Sequence, residues 1–258
     1  MSGIINSVGS KSGVIGKIEQ TDVGFTPINV GNVDRPGAGP YAVDKWTRLL
    51  IHSDTTDANL FFTDSATGNS IKRSGAEHRT TEKKIGKTSI RFGSGQSLSV
   101  QYPHNLYIPI YGNFTVDCWI RMDNATAADQ ALAVSHHSDT NSWAWGIDGS
   151  NMRLSEDRDT TIFSGAHGMS NDTWYHVALC VYEDGATWKG FVNGIEKASS
   201  GSSYNLENAG SAFDNTFFRI GPIDNEFGSG SSGSFVGYID EYRVSFGIAR
   251  WTSTFTVY

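Results

Sequence analysis

Several runs of this chain alternate apolar and polar residues with the period of two that marks β-strands. Residues 114–121 alternate well: Phe114, Val116, Cys118 and Ile120 fall on one face, Thr115, Asp117, Trp119 and Arg121 on the other. Residues 174–182 form the strongest strand pattern. Glu183, Asp184 and Gly185 turn it into a second strand, 187–192, and Asn193-Gly194 turns that into a third, 195–198. Asn-Gly between apolar runs predicts a two-residue hairpin, because a type I′ turn needs positive φ twice. Shorter strand patterns occupy 48–51, 88–92, 97–101, 131–134, 143–147, 152–154 and 217–221. Residues 235–244 come last. Strict alternation puts Val236, Tyr238, Asp240 and Tyr242 on one face and Phe235, Gly237, Ile239, Glu241 and Arg243 on the other. Both faces are partly apolar, so this strand is covered on two sides and slots between strands made much earlier. The pattern predicts a non-local, all-β sandwich. A helical period is absent except for a short turn expected at 248–251.

Composition narrows this picture. A chain of 258 residues holds one large all-β domain or two small ones. Hydrophobic residues at 38% suffice for a core, while 29 glycines and only 6 prolines fit many short strands joined by tight turns. Residues 1–44 differ from the rest: Ile4, Ile5, Val8, Val14 and Ile15 stand isolated among Gly and Ser, and a Gly/Pro-rich linker follows. That segment is too short and Gly-rich to build a core. It either packs on its own domain or docks onto another subunit or an assembly; docking is the expectation, with residues 45–258 as the globular unit.

A net charge of −7 without a basic run argues against nucleic acid as a partner. No stretch approaches the roughly 20 apolar residues of a membrane helix, and the first residues lack a signal-peptide pattern. The expected location is the cytoplasm, or a larger particle assembled there. Cys118 and Cys180 lie inside apolar runs and read as buried free thiols rather than a disulfide.

Four blocks of sequence carry a family resemblance. Leu49-Leu-Ile-His52 with Phe62-Thr-Asp-Ser65 comes first. Residues 86–95 with Leu98-Ser-Val100 and 114–120 come second. Trp174-Tyr-His-Val-Ala with Phe191-Val-Asn-Gly194 comes third. Gly-Tyr-Ile-Asp-Glu-Tyr-Arg-Val at 237–244, then Gly-Ile-Ala-Arg-Trp at 247–251, closes the series. In this order they resemble laminin G-like domains of the concanavalin A-like lectin/glucanase group, over about residues 46–255. The resemblance implies a jelly roll of two antiparallel sheets packed face to face. The Gly-Ile-Ala-Arg-Trp ending is also similar to domains of tailed-bacteriophage virion proteins. It implies a structural role in a virion, as a capsid decoration, spike or tail-fibre part. The implied partners are other capsid or tail proteins and further copies of the chain, with trimers usual for such parts.

Enzymes of this fold resemble one another in placing three carboxylates at i, i+2 and i+5 of one strand. Here Asp240 and Glu241 are adjacent, which on a regular strand sends them to opposite faces. No His-Glu-x-x-His and no Gly-x-Ser-x-Gly elbow occurs. The expectation is therefore a protein that is not an enzyme. The resemblance implies a structural calcium at Asp240, with backbone oxygens near Ser53 and Gly95; the competing reading has Asp240 bonding nearby backbone N–H groups. Sugar binding would use exposed aromatics. Trp143 and Trp145 share a face at i and i+2, and Trp119 and Trp188 complete a candidate glycan platform, unless all four pack in the core.

Overall fold

The computed structural model describes residues 41–101, 112–138, 141–156, 160–182, 187–201, 217–221 and 234–257. The expected anchor residues Ile4, Ile5, Val8, Val14 and Ile15 lie outside them. Among the described residues the chain forms fifteen strands and no helix. In chain order these are β1 (Thr47–Ile51), β2 (Ile71–Ser74), β3 (Glu77–Arg79), β4 (Ser89–Phe92), β5 (Ser97–Gln101), β6 (Phe114–Met122), β7 (Gln130–Ser138) and β8 (Asn141–Asp148). Then follow β9 (Asn151–Glu156), β10 (Thr160–Ala166), β11 (Trp174–Tyr182), β12 (Thr187–Val192), β13 (Ile195–Ser200), β14 (Phe217–Ile220) and β15 (Gly237–Phe246).

They make two antiparallel sheets. One has eight strands, ordered β13-β12-β11-β6-β15-β4-β3 with β1 also on β15; the other has seven, ordered β10-β9-β8-β7-β14-β5-β2. The late strands β15 and β14 each lie between earlier ones, β6 and β4 in the first sheet and β7 and β5 in the second, as jelly-roll connections require. The core lies between the sheets. Phe114 and Trp188 of the first sheet meet edge to face at 5.7 Å, and Phe114 reaches Trp143 of the second at 6.0 Å. Phe218 and Tyr242 continue the contact at 6.3 Å. The buried Tyr242 hydroxyl donates to the Leu132 carbonyl across the sandwich at 3.0 Å, so its polar end is satisfied inside an apolar layer.

The Asn193-Gly194 turn forms as the sequence predicts, with φ of 47° and 75°. A side chain at Gly194 would collide with the Phe255 carbonyl oxygen, and Phe255 N–H donates to the Gly194 carbonyl, so this hairpin also grips the chain's end. Cys118 and Cys180 are free and buried. They sit three positions out of register across paired strands and so on opposite faces, Cys118 in the central core and Cys180 in a separate apolar cluster.

The closing strand does slot between early strands. Its whole length pairs with β6; residues 237–239 pair on the other side with β4, and 242–245 with β1. The alternation expected along it fails midway. Glu241 has φ of 51° and the register shifts between Asp240 and Arg243, a β-bulge that adds a residue and reverses the parity. Ile239, Tyr242, Val244 and Phe246 therefore face the core together. Residues 248–251 form an irregular segment, not the expected helical turn. Strands β2, β3 and β10 were not legible. The first two are short and polar, held by their neighbours' edges instead of by an apolar stripe.

Candidate functional site

Part of the outer face of the eight-stranded sheet is covered by other segments. Tyr41, Asp44 and the segment 247–257 supply this cover. Under this cover Arg243 donates two hydrogen bonds of 2.9 Å to the Asp117 carboxylate, from Nε and Nη2. His176 Nε2 lies 3.3 Å from the same carboxylate. The Arg243 guanidinium sits 4.7 Å from the Tyr41 ring. Trp251 stacks on Phe255 at 4.1 Å, and both meet the His176 ring edge to face. Burial pushes the Asp117 carboxyl up, and Arg243 with His176 more than reverses this, bringing it to about 2. Arg250 of the Gly-Ile-Ala-Arg-Trp ending donates to the Asp44 carboxylate and to Ser245 Oγ, tying both covering segments together. This is an ion-pair cluster that ties the covering segments to the sheet.

The bulge builds a second cluster. Asp240 lies opposite Trp119 of the outer face. Glu241 meets His52, and these two are the chain neighbours of the core-facing pair Tyr242 and Ile51, so the two carboxyls stand on one side of the sheet. The expectation that adjacency sends them to opposite faces is corrected by the left-handed φ at Glu241. Asp240 Oδ2 accepts the N–H of Lys84 and of Ile85 at 2.9 and 3.0 Å, and Oδ1 accepts the N–H of Glu241 at 3.0 Å. Glu241 Oε2 pairs with His52 Nδ1 at 2.8 Å. Burial pushes Asp240 up to about 7 against those N–H bonds, and the Glu241 charge adds to the rise. Burial also raises Glu241, while its hydrogen bond raises His52. These carboxyls clasp the loop before β4 and the end of β1.

The three residues given to calcium do not converge. Pairing of Gly237 with Phe92 and of Ile239 with Ile90 places Gly95 beyond one end of this stretch and Asp240 beyond the other. Ser53 lies on the Asp240 side, and its carbonyl accepts from Thr88 Oγ1. The structure thus favours the competing reading, in which Asp240 holds backbone N–H groups.

The glycan platform is corrected as well. Trp119, Trp143, Trp145 and Trp188 are all buried, none more than 6% exposed. Trp143, Trp145 and Trp188 belong to the central core. Trp119 packs with Tyr41 and Leu50 on the other side of the first sheet, under Lys84 at 4.1 Å. Two tryptophans at i and i+2 share a face, as expected, but that face is the interior: aromatic area is what a two-sheet core needs most. On the far side of the seven-stranded sheet, Val134, Ala144 and Ser155 form the middle of one row and are fully buried too.

A two-sheet jelly roll with its acids engaged in its own loops defines a lectin-like sandwich. The family comparison agrees: the family described as the concanavalin A-like lectin/glucanases superfamily matches residues 92–247, and the chain belongs to it. No curated protein matches the chain. Among solved structures it is similar to domain 4 of AbnA, an extracellular GH43 arabinanase of Geobacillus stearothermophilus in complex with arabinotriose. That likeness has 19% identity and a TM-score of 0.54 and covers 78% of this chain and 93% of that one. The binding domain of botulinum neurotoxin DC, in complex with rat synaptotagmin II, matches at 12% identity and a TM-score of 0.54, over 79% of this chain and 49% of that one. The serotype C1 binding domain gives 15% identity and the same TM-score over the same shares. The chain spans about half the length of these toxin domains.

Proposed function

We propose that this protein is a non-catalytic recognition module: a lectin-like sandwich that binds a surface saccharide and is carried on a larger assembly by its N-terminal residues. One observation carries the reading. The adjacent, buried carboxyls of the closing strand are engaged in the protein's own clasps. Asp240 is held by three backbone N–H groups and Glu241 by His52. Glycoside hydrolysis needs two carboxyls free to flank a bond. Support for a saccharide comes from the superfamily and from the arabinotriose held by the AbnA domain.

The assembly we propose is a tailed-bacteriophage virion, in which the chain serves as a decoration, spike or tail-fibre component. The sequence of the segment 247–251, which resembles the ending of such domains, favours this setting. The test is a glycan array probed with the full chain, paired with a reducing-sugar assay on every glycan retained. Retention without release of reducing ends is the expected result. Turnover of any bound glycan would overturn the non-catalytic reading, and an array with no retained glycan would overturn the recognition reading.

A further inference from the structure

The segment 80–87 leads from β3 towards β4 and lies against the outer face of the eight-stranded sheet. Lys84 Nζ sits 4.1 Å over the Trp119 ring, and Ile85 packs on the cluster of Tyr41, Leu50 and Trp119. Thr81, Lys83, Lys84, Gly86 and Lys87 are exposed. The backbone donors of the segment go to carboxylates. Thr80 N–H donates to Asp57 Oδ1 at 2.9 Å, Lys84 and Ile85 N–H donate to Asp240 Oδ2 at 2.9 and 3.0 Å, and Lys87 N–H donates to Asp54 Oδ1 at 2.7 Å. The hold on this segment therefore rests on ionisable groups.

The acids that hold its middle are short of cations. Asp240 and Glu241 are buried, adjacent and on one side of the sheet, because Glu241 takes a φ of 51° that strains a residue with a side chain. Few charged or titratable groups face them. His52 and Asp54 follow β1, Lys84 comes from the segment itself, Arg243 from further along β15 and Tyr41 from the lead-in to β1; β6 presents the neutral Trp119. Arg243 gives both arms to Asp117, and Lys84 stands over the indole. His52, one-third exposed, pairs with Glu241 at 2.8 Å, while the oxygens of Asp240 meet N–H groups alone. Ionising both carboxyls thus sets two buried negative charges against one imidazole.

The three central groups respond to pH in one sense. Burial pushes Asp240 up to about 7 and raises Glu241, and the hydrogen bond to Glu241 raises His52. Lifting the segment lets water reach the acids and returns them toward the ordinary carboxyl value near 4. A group that binds its proton more tightly in the closed state favours closure at low pH. That contribution is lost as the pH rises through the closed-state value. For Asp240 the window runs from roughly pH 4 to about 7, and His52 adds a step above its ordinary value of 6.5. Asp57, at the start of the segment, is lowered by the Thr80 N–H bond and acts in the opposite sense, below this window.

We propose that the segment 80–87 is a pH-gated flap over Trp119, which Asp240, Glu241 and His52 hold shut in acid and loosen as the pH climbs to neutrality. The flap stands apart from the recognition reading, which needs no moving part. The experiment is hydrogen exchange by mass spectrometry on the full chain from about pH 5 to about pH 8.5, each rate divided by that of an unstructured peptide of the same sequence. The expected result is an opening of 81–87 that rises roughly tenfold per pH unit up to about pH 7, with the smaller His52 step above it, while 174–182 stay protected throughout. Asp240→Asn is expected to lose the rise below about pH 7. Glu241→Gln removes the neighbouring charge, so its rise should level off at lower pH. Tryptophan emission, with Trp119→Phe as the blank, should shift over the same range as Lys84 leaves the ring. A flat profile at 81–87 in the wild type would overturn the gate. An equal rise in 174–182 would mark global unfolding and overturn the flap. A rise unchanged in both Asp240→Asn and Glu241→Gln would overturn the assignment to these acids.

Discussion

Replacing Asp117 by alanine tests the ion-pair cluster over the first sheet. The Asp117 carboxylate is fully buried, takes both arms of the Arg243 guanidinium at 2.9 Å and faces His176. Its loss leaves a buried cation between the Tyr41 and Trp251 rings with no anion beside it. Breaking a buried pair from one side costs about 3–5 kcal/mol, mainly because the remaining charge stays desolvated. For a domain of this size that amounts to a fall in melting temperature of roughly 6–20 °C. Replacing both partners by apolar residues, Asp117→Leu with Arg243→Met, removes that stranded charge and is expected to recover most of the loss. The assay is urea unfolding followed by tryptophan fluorescence at neutral pH, run as a double-mutant cycle. The pH profile adds a second reading. The folded carboxyl, at about 2, lies below its ordinary value, so its stabilisation is present above roughly pH 4 and is lost as pH falls through about 2. Asp117→Ala should flatten that acid limb. A variant within about 1 kcal/mol of wild type would refute the reasoning and show that water reaches the cluster.

Asp240 behaves with the opposite sign. Its folded pKa is raised to about 7, so its contribution to stability is fully present below roughly pH 4 and is lost as pH rises through about 7; thermal melts of Asp240→Asn should lack this decline. Gly194→Ala puts a Cβ 1.9 Å from the Phe255 carbonyl oxygen at a φ of 75°, and should destabilise the fold by about 2 kcal/mol or more and raise amide exchange across 252–257. Deleting residues 1–20 should leave a soluble, folded domain that no longer joins particles in a co-assembly assay; retained incorporation would remove the anchoring role.

Most of the fold was legible because strand patterns survive wherever one face is apolar. Residues 114–121, 174–182 and the Asn193-Gly194 hairpin formed as their alternation and turn chemistry predict. The bulge left a readable trace that strict alternation ignored: Ile239, Tyr242, Val244 and Phe246 are spaced by three, then two, then two. The candidate site was less legible. A tryptophan on an alternating strand has the same sequence signature whether its face meets the opposite sheet or the solvent. The segment 80–87 gave no strand pattern at all, since its place depends on Asp54, Asp57 and Asp240 from elsewhere in the chain.

By itself the sequence determined the class of architecture, the central place of the closing strand and the buried free thiols. These follow from periodicity and turn chemistry, which act over a few residues. Only the tertiary structure decided which aromatics reach water and on which side the acids of Asp240 and Glu241 stand. It also decided that Asp117, Arg243 and Arg250 lock both ends of the packed unit over one sheet. Those outcomes depend on which distant segments lie against each strand, and burial, unlike alternation, is a property of the neighbours.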